Sequence, residues 1–322
     1  MTTIRPIQIV TGAPEAETIQ SSMIRVRTVP SCGAKITELR SLSSGRDWLW
    51  TNPRQLLRQG KPFASYVAEF DSGGWDELFP TVEPIAAGVP VGGWGGGGLT
   101  DHGELWHRRW TTERSGALAL DQSVVSETPP YEFVRSLSLD RLHPVMRLNY
   151  SVQNHGEAAL PYLWAAHPLF RCDVGMSIDI HPRTPVMKAF RCDPGGAGPL
   201  RCRTWGQVVD RFGFLDRASG WTDDDRSSGV TLKVFVRLGG SQAIGLHDHR
   251  TRERLTIADP NSTVGYAALW LNFGGWSGDG NKAYHNIGIE ATTAAADSPL
   301  DGDSVLEPGR GREWSIAVSF ER

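Results

Sequence analysis

The chain has 322 residues and a net charge of −3 at pH 7, with a pI near 6.3, so it lacks the excess positive charge that carries a protein to nucleic acid or an anionic membrane. Its four cysteines, Cys32, Cys172, Cys192 and Cys202, form no CxxC pair, the opening MTTIRPIQIVTG lacks the apolar centre of a secretion signal, and no apolar run reaches the roughly 18 residues needed to cross a bilayer. Reduced thiols in a cytoplasmic protein are the simplest reading, and the twelve tryptophans suit either a core or a binding surface.

After a polar leader at 1–22, Met23–Val29 and Ala34–Leu42 alternate apolar and polar residues with period two, separated by a turn at Pro30–Gly33. Both read as half-buried strands. The pattern returns at Phe63–Phe70, Tyr131–Leu139, Pro144–Val152, Met176–His181, Val230–Leu238, Val264–Phe273, Asn286–Thr292 and Glu313–Phe320. One short segment, Pro53–Gln59, has helical character, and Thr222–Arg226 reads as an exposed acidic turn. Many strands with almost no helix predict an all-β sandwich or barrel. Three Gly-rich stretches, Gly88–Gly98, Asp193–Gly198 and Asn272–Asn281, read as loops, because strand patterns resume on either side and none forms a phosphate cradle. A single domain over 1–322 is expected.

The stretch LPYLWAAHPLFRC, Leu160–Cys172, places His167 in an apolar run before Pro168, which cannot donate to a sheet ladder; a strand ending at the histidine is expected. His167 is either a hydrogen-bonded core residue or a group placed to move a proton near neutral pH. Glu290, in HNIGIEATT, lies among apolar neighbours on a strand. Such a carboxylate is paired, solvated, or kept for proton transfer with its pKa raised by burial. Two further segments carry ionisable groups beside glycine and tryptophan: GGWDELFP, with Trp75, Asp76 and Glu77, and LTDHGELWHRRW, with His102 and Trp106.

Taken in order, these segments resemble the aldose 1-epimerase (galactose mutarotase-like) family over most of the chain. GAKITELRSLSSGRDWLW resembles the family's opening hairpin, DHGELWHRRW its His-Gly segment ending in a strand tryptophan, AAHPLF its His-Pro-x-Phe segment, IGIEATT its late strand, and LEPGRGREWSIAVSF its closing strand. The resemblance implies a β-supersandwich of large antiparallel sheets with the site on one concave sheet. It implies His167 as general acid, Glu290 as general base and His102 as a donor orienting the sugar, with no metal and no cofactor. The substrate implied is a monosaccharide whose ring opens as the base takes the anomeric proton and the acid protonates the ring oxygen; both groups then need pKa values not far from neutral. Trp75, Trp106 and Trp164 are candidates to stack on the sugar, and Asp76 and Glu77 to bond its hydroxyls.

The chain departs from the family in two places. Trp106 stands where phosphosugar members tend to carry an arginine, which favours an unphosphorylated sugar, and Ala291 follows the base where a proline is usual. The aspartate that assists the sugar has no matched position; Asp216 and Asp248 are candidates. A monomer or homodimer is expected. Two other classes stay open. One is a saccharide-binding protein without turnover. The other is a cupin-like metal enzyme using His102, Glu104 and His107 or His247 and His249, whose spacing converges poorly on a strand.

Overall fold

The computed structural model describes residues 15–240, 242–278, 280 and 283–322. Where the sequence alternates strictly, each phase of the strand has its own surface to cover. Ala119–Glu127, Pro130–Leu139 and Val145–Asn154 switch between buried and more exposed residues almost one by one, with one face on the core and the other toward water. They lie in an antiparallel sheet of eight described strands, ordered Met176–Asp179, Ala243–Asp248, Glu253–Ala258, Gly311–Glu321, Val145–Asn154, Pro130–Leu139, Ala119–Glu127, Thr111–Gly116.

The second sheet has ten described strands, ordered Glu17–Gln20, Ile24–Val29, Lys35–Ser41, Trp75–Leu78, Ala165–Arg171, His285–Thr292, Tyr266–Phe273, Val230–Arg237, Val186–Arg191, Gly198–Pro199. Its central strands do not alternate. Ala165–Arg171 is buried until its last residue and His285–Thr292 after its first. Both faces of these strands are covered, one by the other sheet and one by loops over the site. Among the described residues no helix is long and apolar enough to cross a membrane.

The inner faces meet in an aromatic core. Tyr150 stacks on Trp314 with ring centroids 5.8 Å apart, and Trp164 tilts against the same indole at 5.0 Å. Inside it lies a fully buried ion pair joining the sheets: Arg135 Nη1 donates to Glu77 Oε1 at 2.9 Å. The Tyr150 hydroxyl and the Trp164 indole N–H also donate to Glu77, and Gln122 Oε1 accepts from Arg135. Two charges survive in such a place because almost every lone pair and proton has a partner.

Several sequence expectations fail for local reasons. Phe63–Phe70 is not a strand: Tyr66–Phe70 forms a π-helical turn. Its backbone donors go to side chains instead of a strand neighbour, Tyr66 N–H to Asp101 and Ala68 N–H to Ser65. Pro53–Gln59 forms no helix; a segment of that length does not pay for its own nucleation, and Asn52 instead takes the Arg54 N–H. The leader at 1–22 contains a strand, Glu17–Gln20, because Ile19 is buried against the core; residues 1–14 lie outside the described residues. The acidic turn at Thr222–Arg226 is a capped helical turn, Asp223–Arg226, in which Asp225 is buried and ion-paired with Arg217. Within the loop Asn272–Asn281, residues 279 and 281 lie outside the described residues.

Candidate active site

Antiparallel pairing brings ionisable groups from four strands into one row. Ile36 pairs with Trp75 and His167 with Asp76, which sets Lys35 beside Asp76. Along His285–Thr292 the ladder holds at Ala165↔Thr292 and again from Leu169↔Gly288, one register that places His167 directly across from Glu290. In-register neighbours share a face, so Lys35, Asp76, His167 and Glu290 all point away from the sheet-to-sheet core. His167 is therefore the third residue of a seven-residue strand, not its end. Pro168 is accommodated because the ladder lapses beside it.

Glu290 is 1% exposed and its two oxygens have different surroundings. Oε2 accepts from Lys233 Nζ at 3.1 Å, and Oε1 faces His167 Nδ1 at 3.4 Å with no hydrogen bond at either atom. Burial pushes this carboxyl up, but Lys233 and then His167 pull it down further, to about 2. The expectation of a carboxyl raised by burial is corrected: the nearby cation outweighs desolvation. Lys233 also reaches Asp297 at 3.2 Å; burial disfavours its charge, yet Asp297 and Glu290 hold its pKa above the ordinary value.

His102 arrives from a turn rather than a strand, in the left-handed region at φ 61°. A non-glycine residue is held there only by its surroundings. Its N–H donates to the Val82 carbonyl, Asp101 Oδ1 lies 2.7 Å from Nδ1, and the Tyr66 ring stacks on it at 4.3 Å. Tyr66 is pinned in turn, since its hydroxyl donates to Asp76 Oδ2 at 2.6 Å and Lys35 lies 2.8 Å from the same oxygen. The His102 and His167 rings sit 5.3 Å apart. Together with Glu290 they line a cavity of about 550 Å³, within the range of small-molecule sites.

His167, Glu290 and His102 are thus brought together; the other expected contacts are not. Trp75, Trp164 and Glu77 are fully buried on the inner face, because each is out of phase with Asp76 and His167 or lies before the site strand. They cannot meet a sugar. Trp106 is buried against Tyr66 and Phe70, its indole N–H donating to the Asp101 carbonyl. Asp76 stands behind Tyr66, its Oδ2 held by Tyr66 and Lys35 and its Oδ1 buried without a hydrogen bond. Asp216 is exposed on a 3-10 turn, and Asp248 is buried on the other sheet with Arg46. Neither lines the cavity.

Residues that sequence reading missed complete the walls. Trp270, Trp276 and Tyr284 line the cavity with Lys233, Asn286, Asp71 and Asp297. Asp71 is buried and its carboxyl is pushed up by that burial. Phase was the available signal: Lys233 and Trp270 are the polar and bulky residues on the outward phase of their strands, and Asn286 shares the phase of Glu290.

Among the described residues no three His, Cys, Asp or Glu side chains are placed to hold a metal ion. Leu105–His107 is a 3-10 turn, not a strand, and Glu104 is bonded to Arg108 and Tyr131. The His247 and His249 rings lie tilted against each other, with centroids 4.0 Å apart, at the end of strand Ala243–Asp248 in the eight-stranded sheet.

No protein-family model matches the chain, and a search of curated proteins found no match. Solved structures do match in shape. A galactose mutarotase related enzyme from Lactobacillus acidophilus superposes with a TM-score of 0.64 at 15% identity, over 96% of this chain and 98% of that one. A galactose mutarotase-like protein from Clostridium acetobutylicum gives 0.64 at 15% identity, over 98% and 96%. An aldose epimerase homologue from C. elegans gives 0.61 at 12% identity, over 96% and 99%. The all-β architecture of large antiparallel sheets is therefore that of the galactose mutarotase-like proteins.

Proposed function

Starting from that fold, we propose that the chain is an aldose 1-epimerase, interconverting the α and β anomers of an unphosphorylated aldose. One observation carries this reading: His167 Nδ1 and Glu290 Oε1 face each other at 3.4 Å inside a cavity, neither atom hydrogen-bonded. An acid and a base so placed can serve the two ends of a hemiacetal. Glu290 Oε1 takes the anomeric hydroxyl proton, His167 protonates the ring oxygen, and the C1–O5 bond breaks to give the open aldehyde. Rotation about C1–C2 and reclosure with the roles exchanged give the other anomer. His102, fixed by Asp101 and Tyr66, donates to the sugar near the ring oxygen. The partly exposed Trp270 and Trp276 offer indole faces to its C–H surface. Among the described residues, the Lys and Arg side chains lining the cavity, Arg191 and Lys233, are already paired with carboxylates, which supports a substrate without phosphate.

A second reading, a saccharide-binding protein without turnover, draws on the Lys233 contact. A carboxylate held at about 2 is a weak base by the Brønsted relation. Polarimetry on freshly dissolved single anomers of common aldoses separates the two. The epimerase reading requires equilibration faster than in buffer and its loss in Glu290→Gln.

A further inference from the structure

A second hollow of about 550 Å³ shares no lining residue with the catalytic cavity. Arg171, in its wall, follows His167 by four residues on Ala165–Arg171 and has the same outward phase. Both hollows therefore open on the outward face of the ten-stranded sheet. Residues 47–51 cross the floor of the second one, bridging Lys35–Ser41 and Ala165–Arg171: Arg40 pairs with Asp47 and Leu49 with Phe170. Two strand spacings set the Arg40 and Arg171 backbones about 10 Å apart.

Guanidinium groups dominate this groove. Arg25, Arg27, Arg40, Arg46, Arg171 and Arg250 line it with Glu38, Asp47 and Asp173, and the carboxylates are shared. Glu38 accepts from Arg25 at 2.7 Å and from Arg40 at 2.6 Å. Asp173 pairs with Arg171 at 2.8 Å and with Arg46 at 3.1 Å, and the buried Asp248 behind them takes Arg46 and Arg250. Asp47 accepts the Leu39 and Leu49 N–H groups, and burial pushes its carboxyl up. Arg25 and Arg40 are direct cross-strand partners, a like-charge arrangement that costs stability. Arg27 lies across from Glu38, yet among the described residues its side chain has no ion pair or hydrogen bond. The Arg46 side chain is 7% exposed, and its Nε is buried without a hydrogen bond. Burial pulls its pKa down in spite of Asp248 and Asp173, so these two carboxylates do not fully compensate the charge. The catalytic cavity has the opposite balance, with Arg191 and Lys233 against five carboxylates among the described residues.

We infer that the groove is an anion site for a small molecule carrying two or more linked phosphoryl groups, seated between Arg25, Arg27 and Arg40 on one side and Arg46 and Arg171 on the other. Guanidinium forks match phosphate oxygens in pairs. A linked phosphoryl chain reaches toward both sides of a floor about 10 Å wide, which a lone dianion does not. It also screens Arg25 from Arg40 and gives Arg27 a partner. The site does not rest on the epimerase reading. Free polyphosphate and a nucleoside polyphosphate carry the same recognised chemistry.

Isothermal titration of the full chain at low salt, with tripolyphosphate, ATP and sulfate as probes, tests this. Tripolyphosphate is expected to bind once per chain and about tenfold or more tighter than sulfate. Arg27→Ala should weaken it by about tenfold, since it removes a donor without breaking an ion pair of the fold. Glu38→Gln should tighten it, because Arg25 and Arg40 are released. Arg114→Ala removes an exposed arginine paired with Glu17 outside the groove and should leave binding unchanged. ATP binding at least as tightly as tripolyphosphate makes the ligand a nucleotide, weaker ATP binding makes it a free polyphosphate, and either supports the site. No tripolyphosphate binding at millimolar concentration, equal affinity for sulfate, or equal effects of Arg27→Ala and Arg114→Ala overturns it. Should Arg27→Ala fail to fold, Arg27→Lys keeps the charge and loses the fork, and unchanged affinity in that variant overturns the site.

Discussion

Lys233 Nζ lies 3.1 Å from Glu290 Oε2, so the carboxylate on the cavity floor is ion-paired through one oxygen and open to the cavity through the other. The lysine holds Glu290 in place and ionised at a cost in basicity. Removing it should reveal both effects. In Lys233→Met, burial is opposed by His167 alone, so the Glu290 pKa rises from about 2. The acid limb of the kcat/KM profile should then move to higher pH, and an unshifted limb would show that Glu290 is not the titrating base.

The same ionisation bears on stability. Glu290 has a folded pKa near 2 against an ordinary 4.5, a depressed value, so its contribution is complete above about pH 4.5 and is lost as pH falls toward 2. Urea midpoints of the native chain should fall across that window more steeply than those of Glu290→Gln.

For the acid-base pair, Glu290→Gln and His167→Asn should each slow anomer equilibration by about 10²–10⁴-fold while saccharide binding persists. The double variant should be little worse than the worse single one, because both groups act in the same ring-opening step. Retained turnover in folded Glu290→Gln would shift the reading to a binding protein.

Glu77 was a candidate hydroxyl ligand by sequence, and its place in the core predicts a different phenotype. Glu77→Ala leaves Arg135 buried without its carboxylate, which should destabilise the fold by about 3–5 kcal/mol in urea titration. Replacing both residues with apolar ones of similar volume should cost less than the single change.

Tyr66 links Asp76 to His102 without touching the reacting atoms. Tyr66→Leu should raise KM more than it lowers kcat, because His102 loses the ring that supports its left-handed backbone. Tyr66→Phe keeps the stack and should restore most of the KM while losing about 1–3 kcal/mol of stability with the hydrogen bond to the Asp76 carboxylate, whose Oδ2 keeps Lys35. Isothermal titration with a bound saccharide checks the first, thermal unfolding the second.

Period-two alternation identified strands such as Tyr131–Leu139 and Glu313–Phe320 because each has one wet and one dry face, a local property. Apolar neighbours along the chain marked His167 and Glu290 as ionisable groups in unusual surroundings, and His102 stood out beside glycine in a segment that resembles the family's His-Gly segment. Alternation misread Phe63–Phe70, where the decisive partner, Asp101, is remote in sequence. It could not separate Trp75 from Trp270, since both are tryptophans on strands and only the second sheet determines which face of the first is core. Nor could it foresee the depressed pKa of Glu290: the strand carrying Lys233 reaches His285–Thr292 only through Tyr266–Phe273. Local sequence determines which residues alternate and which carry charge. Pairing between distant strands decides which charges meet, because electrostatic balance at a buried group is set by neighbours within a few ångströms in space, whatever their separation along the chain.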